Sequence, residues 1–238
     1  MNRLRKVVSN TAISLLGQCV TWSSTLILTI AYGRFLGDVK SGELYFAITL
    51  AMLIGFPIEF GFNQQLTREV VQEPAKALRY LSNILFLKGS LWLLLYSCML
   101  LVCSLLGYSI ELRILVATCG ITLLSASLAN AFSALHYAFE QTIYPTVGTM
   151  LEKGLSALIG ILALKQGASV EVMACILLAG SFTSMLWQAT WAYRRLGIHL
   201  SIDKALLREL LHTSIPFLVS GALGVIYYRL DTVLLSFM

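Results

Sequence analysis

The chain has 238 residues, of which 58% are hydrophobic and only 12% are charged, and its mean hydropathy is +0.80. A soluble domain usually carries about 25% charged residues, so this composition excludes an ordinary water-soluble protein and indicates one that is embedded in lipid. The formal net charge is +5, yet the densest basic cluster is only Arg3, Arg5 and Lys6. We therefore expect no nucleic-acid surface, because excess lysine and arginine are typical of cytoplasmic loops in membrane proteins.

Reactive side chains are sparse and scattered. The five cysteines lie in apolar segments and form no CxxC pair, and none of the three histidines sits beside a cysteine at metal-ligand spacing. This pattern predicts no metal site and no cofactor. A phosphate-binding loop, a pair of neighbouring carboxylates and a histidine next to an acidic residue are also missing from the short loops, so the sequence indicates a protein that is not an enzyme.

Seven apolar runs are long enough to cross a bilayer, which takes about 20 residues. They are Val8–Tyr32, Leu44–Leu66, Leu81–Leu106, Ile114–Leu135, Pro145–Leu164, Val172–Trp191 and Ile215–Met238. The first run exceeds the roughly 7–15 residues of a signal-peptide core and is interpreted as a retained span. Unbroken runs that contain glycine, serine and threonine favour helices over barrel strands. The predicted fold class is an all-α polytopic membrane bundle.

The loops differ in their content of lysine and arginine. If the spans alternate in direction, ten of these residues lie on the side of the N-terminus and four on the other side. Positively charged short loops stay in the cytoplasm. The sequence therefore predicts a cytoplasmic N-terminus.

The segment Ser201–Thr213 is too charged to cross a membrane. Its leucines recur at helical spacing, while Asp203, Lys204 and Arg208 take the opposite face. We interpret it as an amphipathic helix on the cytoplasmic surface; the alternative is a short soluble linker helix. Because the chain stops at Met238 without a polar tail, we expect a truncated protein, and the alternative is a complete seven-span protein.

Five short strings occur together in a recognisable order. They are Gly33–Gly37 (GRFLG), Gly42–Ala47 (GELYFA), Gly61–Glu69 (GFNQQLTRE), Ser214–Phe217 (SIPF) and Tyr227–Asp231 (YYRLD). Together with the span spacing, this set resembles the polysaccharide-biosynthesis flippases, the Wzx-type O-antigen translocases of the MATE/MOP superfamily. The resemblance extends over the whole chain.

The resemblance implies an architecture and a substrate. Residues 1–193 would form a six-helix N-terminal lobe, residues 194–213 a cytoplasmic connecting helix, and residues 214–238 the first helix of a truncated second lobe. In such flippases two lobes enclose a cavity that carries an undecaprenyl-pyrophosphate-linked oligosaccharide across the membrane for O-antigen or other surface polysaccharide synthesis. The implied partners are this lipid-linked oligosaccharide, membrane lipids and the polysaccharide polymerase machinery.

Charged residues inside the spans are the candidate site residues, because a charge in hydrocarbon normally faces a bundle interior or water. Lys153, Arg229 and Lys88 are candidates for binding the pyrophosphate, although Lys88 is expected rather to extend toward the headgroups. Asp231 and Glu59 are candidates for gating or ion coupling. The alternatives are a structural ion pair for Asp231 and a position near the cytoplasmic interface for Glu59.

Other functions remain open at this point. A lipid II or multidrug exporter of the same superfamily would share the fold and differ in the shape and charge of its cavity. An inactive truncated transporter is a further alternative. A polytopic glycosyl- or acyltransferase is disfavoured, because such enzymes carry their carboxylates and histidines together in a sizeable loop.

Overall fold

A computed structural model describes residues 2–59, 61–197, 202–216 and 219, and these residues are helices joined by short turns. The helices are α1 (Asn2–Phe35), α2 (Gly37–Glu59), α3 (Phe62–Gln72), α4 (Ala77–Leu105), α5 (Ile110–Ala138), α6 (Ile143–Lys165), α7 (Val170–Leu196) and α8 (residues 204–216). No strand occurs within the described ranges. The all-α class is therefore confirmed.

Six helical stretches among the described residues are long and apolar enough to cross a membrane. They are Asn10–Phe35, Gly37–Gln72, Pro74–Leu105, Ile110–Ala138, Ile143–Lys165 and Val170–Arg194. They correspond to the first six predicted spans. The predicted seventh span, Ile215–Met238, lies almost wholly outside the described residues.

The outer faces of the bundle are apolar. Leucines such as Leu94 on α4 and Leu158 on α6 are largely exposed. Serine and threonine hydroxyls inside the spans, such as that of Thr118, donate to the carbonyl four residues earlier. Such bonds remove polar groups from the lipid-facing surface. The surface thus suits a hydrocarbon environment.

Two buried apolar clusters fill the two ends of the bundle. The first, around Leu44, Leu115 and Met173, lies at the end that carries the α1–α2 turn. The second, around Phe62 and Leu135, lies at the opposite end.

The second span is two helices and not one. The apolar run predicts one span over Leu44–Leu66 in which Pro57 interrupts the helix. In the structure α2 ends at Glu59 and α3 begins at Phe62. Pro57 lies in the last turn of α2, and Gly61 has φ +75°, a left-handed conformation that a side chain disfavours. The two helices together still form one stretch, Gly37–Gln72, that is long and apolar enough to cross a membrane, as predicted.

Helix α8 packs on protein along one face. Leu206 and Leu210 are buried in the second cluster. Asp203 caps the helix by accepting a hydrogen bond from the backbone N–H of Ala205 at 2.9 Å, and it also pairs with Arg79 of α4. The predicted helix is present in this segment, and its apolar stripe contacts the bundle.

A second contact holds the end of α8. The side chain of Gln65, on α3, donates to the hydroxyl of Thr213 and accepts from that of Ser214. Gln65 and Ser214 are both buried. α3 and α8 are therefore tied together by polar bonds at the same end of the bundle.

Helices α6 and α7 approach closely at Gly180. A Cβ atom built there would lie 2.2 Å from Ser156 Oγ and 2.9 Å from the carbonyl oxygen of Glu152. Glycine is needed because the backbone of α6 occupies the space that a side chain would take. This contact sets the spacing of two helices that line the site described next.

Candidate functional site

A cavity of about 360 Å³ lies inside the six-span bundle. Five helices, α1, α2, α5, α6 and α7, line it, and each contributes at least one hydroxyl group. Thr29, Tyr45, Thr122, Ser156 and Ser181 represent the five helices in that order. The rest of the wall is mostly aliphatic. The cavity can therefore offer hydrogen bonds from several directions to a ligand that also has apolar parts.

Two charged residues of α6 line this cavity. Lys153 Nζ lies 2.7 Å from Glu152 Oε1, and the Lys153 side chain is 41% exposed. Because adjacent helical residues lie about 100° apart, we expect only one of them to face a cavity squarely. In the structure both residues contribute to the wall. The Glu152 side chain is 20% exposed, so the pair is partly buried and presents one cation and one anion to the cavity.

Some of the cavity hydroxyls are already used within the protein, and others are not. Ser181 Oγ lies 2.9 Å from Ser125 Oγ. Tyr32 Oη and Ser156 Oγ are buried without a hydrogen-bond partner. Buried polar atoms are normally satisfied, so these two hydroxyls are available to bond with a ligand in the cavity.

Lys88 is not in this cavity. Its side chain is 0% exposed, and its ammonium lies 2.8 Å from Glu59 Oε2. The carbonyl oxygen and the hydroxyl of Ser127 accept from it at 3.0 and 3.2 Å. The expected extension toward the headgroups is therefore wrong, because the lysine finds a full set of acceptors inside the bundle.

Glu59, the partner of Lys88, lies at the end of α2 and is 34% exposed. Its carboxylate also accepts from the side-chain amides of Asn63 and Asn130. This group joins α2, α3, α4 and α5. It is a second polar site, separate from the cavity that contains Lys153.

The remaining candidates, Arg229 and Asp231, lie outside the described residues. Over the described ranges, no group of three or more His, Cys, Asp or Glu side chains is placed to hold a metal ion. The sites that can be described are therefore the cavity around Lys153 and the buried pair formed by Lys88 and Glu59.

The sequence model of the family described as "Polysaccharide biosynthesis protein" matches residues 7–238. The chain belongs to this family. Its fold is similar to that of a MOP superfamily transporter from Pyrococcus furiosus, with a TM-score of 0.70 at 16% identity, and to that of a MATE transporter in a bent conformation, with a TM-score of 0.69 at 17% identity. A comparison with curated proteins gave no significant match.

The two solved transporters are longer than this chain. The chain is covered to 96% and 97%, but it spans only 55% and 56% of those transporters. The resemblance to the polysaccharide-biosynthesis proteins is therefore confirmed over residues 7–238. The six apolar helices support a multi-pass membrane protein, and its fold is similar to that of the two solved transporters.

The sequence reveals Lys153, Lys88 and Glu59 as charges within spans, but not how they are arranged. Glu59 and Lys88 are 29 residues apart, and their pairing depends on α2 lying beside α4. The sequence offers one signal for this pairing, namely two opposite charges on consecutive spans. The hydroxyl lining carries no signal of its own, since serine and threonine are common in membrane helices.

Proposed function

We propose that this chain forms the substrate-binding lobe of a flippase. The substrate would be a polyprenyl-pyrophosphate-linked oligosaccharide, moved across the bacterial inner membrane for O-antigen or other surface polysaccharide synthesis. The observation that carries the proposal is the hydroxyl-lined cavity with Lys153 in its wall, in a chain of the polysaccharide biosynthesis family.

The chemistry of the cavity fits the head of such a lipid. A pyrophosphate is anionic, and a lysine ammonium binds it as a point charge. Sugar hydroxyls match the serine, threonine and tyrosine hydroxyls of the wall. Cavities of about 300–1,000 Å³ hold drug-sized ligands, so 360 Å³ suits the pyrophosphate and the first sugar while the remaining sugars lie outside.

The surrounding assignments are part of the same proposal. The N-terminus and α8 would lie in the cytoplasm, residues 214–238 would begin a second lobe, and alternating access of the two lobes would move the lipid. Arg229 and Asp231 would contribute a cation and a gating group from that second lobe. The polymerase machinery would receive the flipped oligosaccharide.

A reconstituted assay tests the proposal. The protein, in the full length that its gene encodes, is placed in liposomes with a polyprenyl pyrophosphate carrying a fluorescent oligosaccharide, and a membrane-impermeant quencher reports which leaflet the label occupies. Lys153→Gln should slow flipping about 10- to 100-fold, because a hydrogen bond to a charged group contributes about 1.5–3 kcal/mol.

The matched control is Lys165→Gln. Lys165 is the exposed last residue of the same helix, so its loss should leave the rate unchanged. Equal rates for wild type and Lys153→Gln would refute the proposed role of the cavity. No flipping of this lipid by the wild-type protein would refute the proposed substrate.

A lipid II or multidrug exporter remains the second candidate. The similarity to a MATE transporter and the largely aliphatic cavity wall favour it. The same liposomes distinguish a multidrug exporter from the flippase, because an exporter of apolar cations would move a fluorescent cationic dye and would tolerate Lys153→Gln.

A further inference from the structure

The cavity presents a carboxylate beside its lysine, and a site for a bare pyrophosphate would not need one. Glu152 and Lys153 both line the cavity. A pyrophosphate held by the Lys153 ammonium brings negative charge close to the Glu152 carboxylate, and like charges repel. The carboxylate therefore weakens the binding of a pyrophosphate unless the same ligand also supplies hydrogen-bond donors to it.

The ion pair leaves both of its groups able to bind a ligand. Lys153 Nζ donates to Glu152 Oε1 at 2.7 Å. Within the described part of the chain, the Glu152 carboxylate has no hydrogen-bond partner other than Lys153. An ammonium has three donors, and a carboxylate accepts about four hydrogen bonds. The pair can thus bind an anionic group at Lys153 and donor groups at Glu152 without separating.

The contact between α6 and α7 fixes the backbone of Glu152. Its carbonyl oxygen would lie 2.9 Å from a Cβ atom at Gly180, so the backbone of α7 passes directly beside that of α6. Lys153, by contrast, carries its charge on a flexible four-carbon side chain. The cavity therefore combines an adaptable cation with a carboxylate on a rigid element, and groups on rigid elements give the more precise recognition.

A second polar group lies on the same side of α6. Ser156 follows Glu152 by four residues, which places both on one helical face. Its hydroxyl is buried, lines the cavity and has no hydrogen-bond partner among the described residues. A ligand on this face meets a carboxylate that accepts and a hydroxyl that both donates and accepts. A sugar, whose neighbouring hydroxyls do both, matches this pair.

We propose that Glu152 recognises the sugar that is attached to the pyrophosphate. Its carboxylate accepts hydrogen bonds from hydroxyl groups of that sugar, while Lys153 binds the pyrophosphate and Ser156 bonds to the same sugar. The lipid without a sugar offers the carboxylate only a like charge, so it is disfavoured. This inference rests on the proposed function, from which it takes the lipid, and it names the residue that selects the glycosylated form.

A purely structural role for Glu152 makes a different prediction. A carboxylate that only neutralises Lys153 inside the membrane would affect the folding of the protein and the binding of all anionic lipids alike. A carboxylate that bonds to the sugar affects the glycosylated lipid in particular. The sugar preference separates these roles; it is the dissociation constant of a polyprenyl pyrophosphate without a sugar divided by that of the same lipid carrying one hexose.

The experiment measures the sugar preference of the full-length protein in lipid nanodiscs. Each of the two lipids competes with a fluorescent polyprenyl-pyrophosphate oligosaccharide for binding. The wild type should bind the hexose-bearing lipid more tightly. Glu152→Gln should lower the sugar preference about 10- to 100-fold, because it removes hydrogen bonds to a charged group. Partial misfolding would reduce the amount of bound lipid and leave the preference unchanged.

Three further variants complete the experiment. Glu152→Gln/Lys153→Gln leaves neither charge unpaired, so it should fold, and its sugar preference should be as low as that of Glu152→Gln. Lys153→Gln should weaken the binding of both lipids and keep the sugar preference. Glu111→Gln, which removes an exposed carboxylate that pairs with Lys40, should behave like the wild type.

A wild-type protein that binds the two lipids equally well would overturn the inference. A wild-type sugar preference in either variant that lacks Glu152 would do the same, and in both cases the proposed function would still stand on the flipping assay. Binding of neither lipid by the wild type would refute the proposed function, and the inference with it.

Discussion

Substituting Gly180 by alanine tests how tightly α6 and α7 must pack around the cavity. The added Cβ would meet Ser156 Oγ at 2.2 Å and the Glu152 carbonyl oxygen at 2.9 Å. The serine side chain can rotate, but the carbonyl belongs to the backbone of α6, so the two helices must separate. Such overpacking costs about 1–3 kcal/mol.

Gly154→Ala supplies the matched control for this substitution. Gly154 also lies inside a helix, and a Cβ there would have nothing within 4 Å. Both substitutions gain the same helix propensity, up to about 1 kcal/mol over glycine, so the difference between them isolates the clash. We expect Gly180→Ala to be less stable than Gly154→Ala by about 1–3 kcal/mol.

The assay is reversible unfolding in mixed micelles, with the unfolding free energy extrapolated to the absence of denaturing detergent. The flipping rate of each variant should be measured in parallel, because Glu152 and Ser156 both line the cavity. Equal unfolding free energies for the two variants would refute the conclusion that glycine sets the α6–α7 spacing.

Two further predictions concern the ion pairs. Lys88→Met alone should be less destabilising than Glu59→Gln alone, because only Glu59→Gln leaves a buried charge unpaired. An unpaired buried charge lowers the free energy of unfolding by about 3–5 kcal/mol. Equal losses of unfolding free energy for the two variants would contradict this prediction. Arg79, with the backbone N–H groups at the start of α8, holds the pKa of Asp203 below its usual value. The ionised Asp203 therefore stabilises α8 above about pH 4, and this stabilisation is lost as the pH falls through the lowered pKa. Amide hydrogen exchange in residues 204–216 should accelerate over that pH range in the wild type and not in Asp203→Asn.

The sequence predicts what hydropathy measures directly. Six of the predicted spans are helices because their apolar side chains can only be placed in lipid or in the bundle. The amphipathic pattern likewise predicts α8. The helices extend beyond the apolar runs; α1, for example, begins at Asn2 and not at Val8. Hydropathy does not predict these ends, because the part of a helix outside the membrane is polar.

The sequence does not predict contacts between side chains of different spans, because these depend on which helices are neighbours. Lys88 looks like a residue that extends to the headgroups until α2 brings Glu59 beside it. Pro57 predicts the interruption of the second span, but the left-handed conformation of Gly61 is visible only in the structure. The site was predicted as a set of charges, while its hydroxyl lining requires the arrangement of five helices.

Among the described residues, every helix that lines the cavity around Lys153 comes from α1 to α7. Under the proposed function, binding and translocation would then be two separable events. A ligand would be captured in this cavity first, and a small molecule that fills it would act as an inhibitor. Screening for inhibitors can therefore begin with simple binding measurements on this part of the protein.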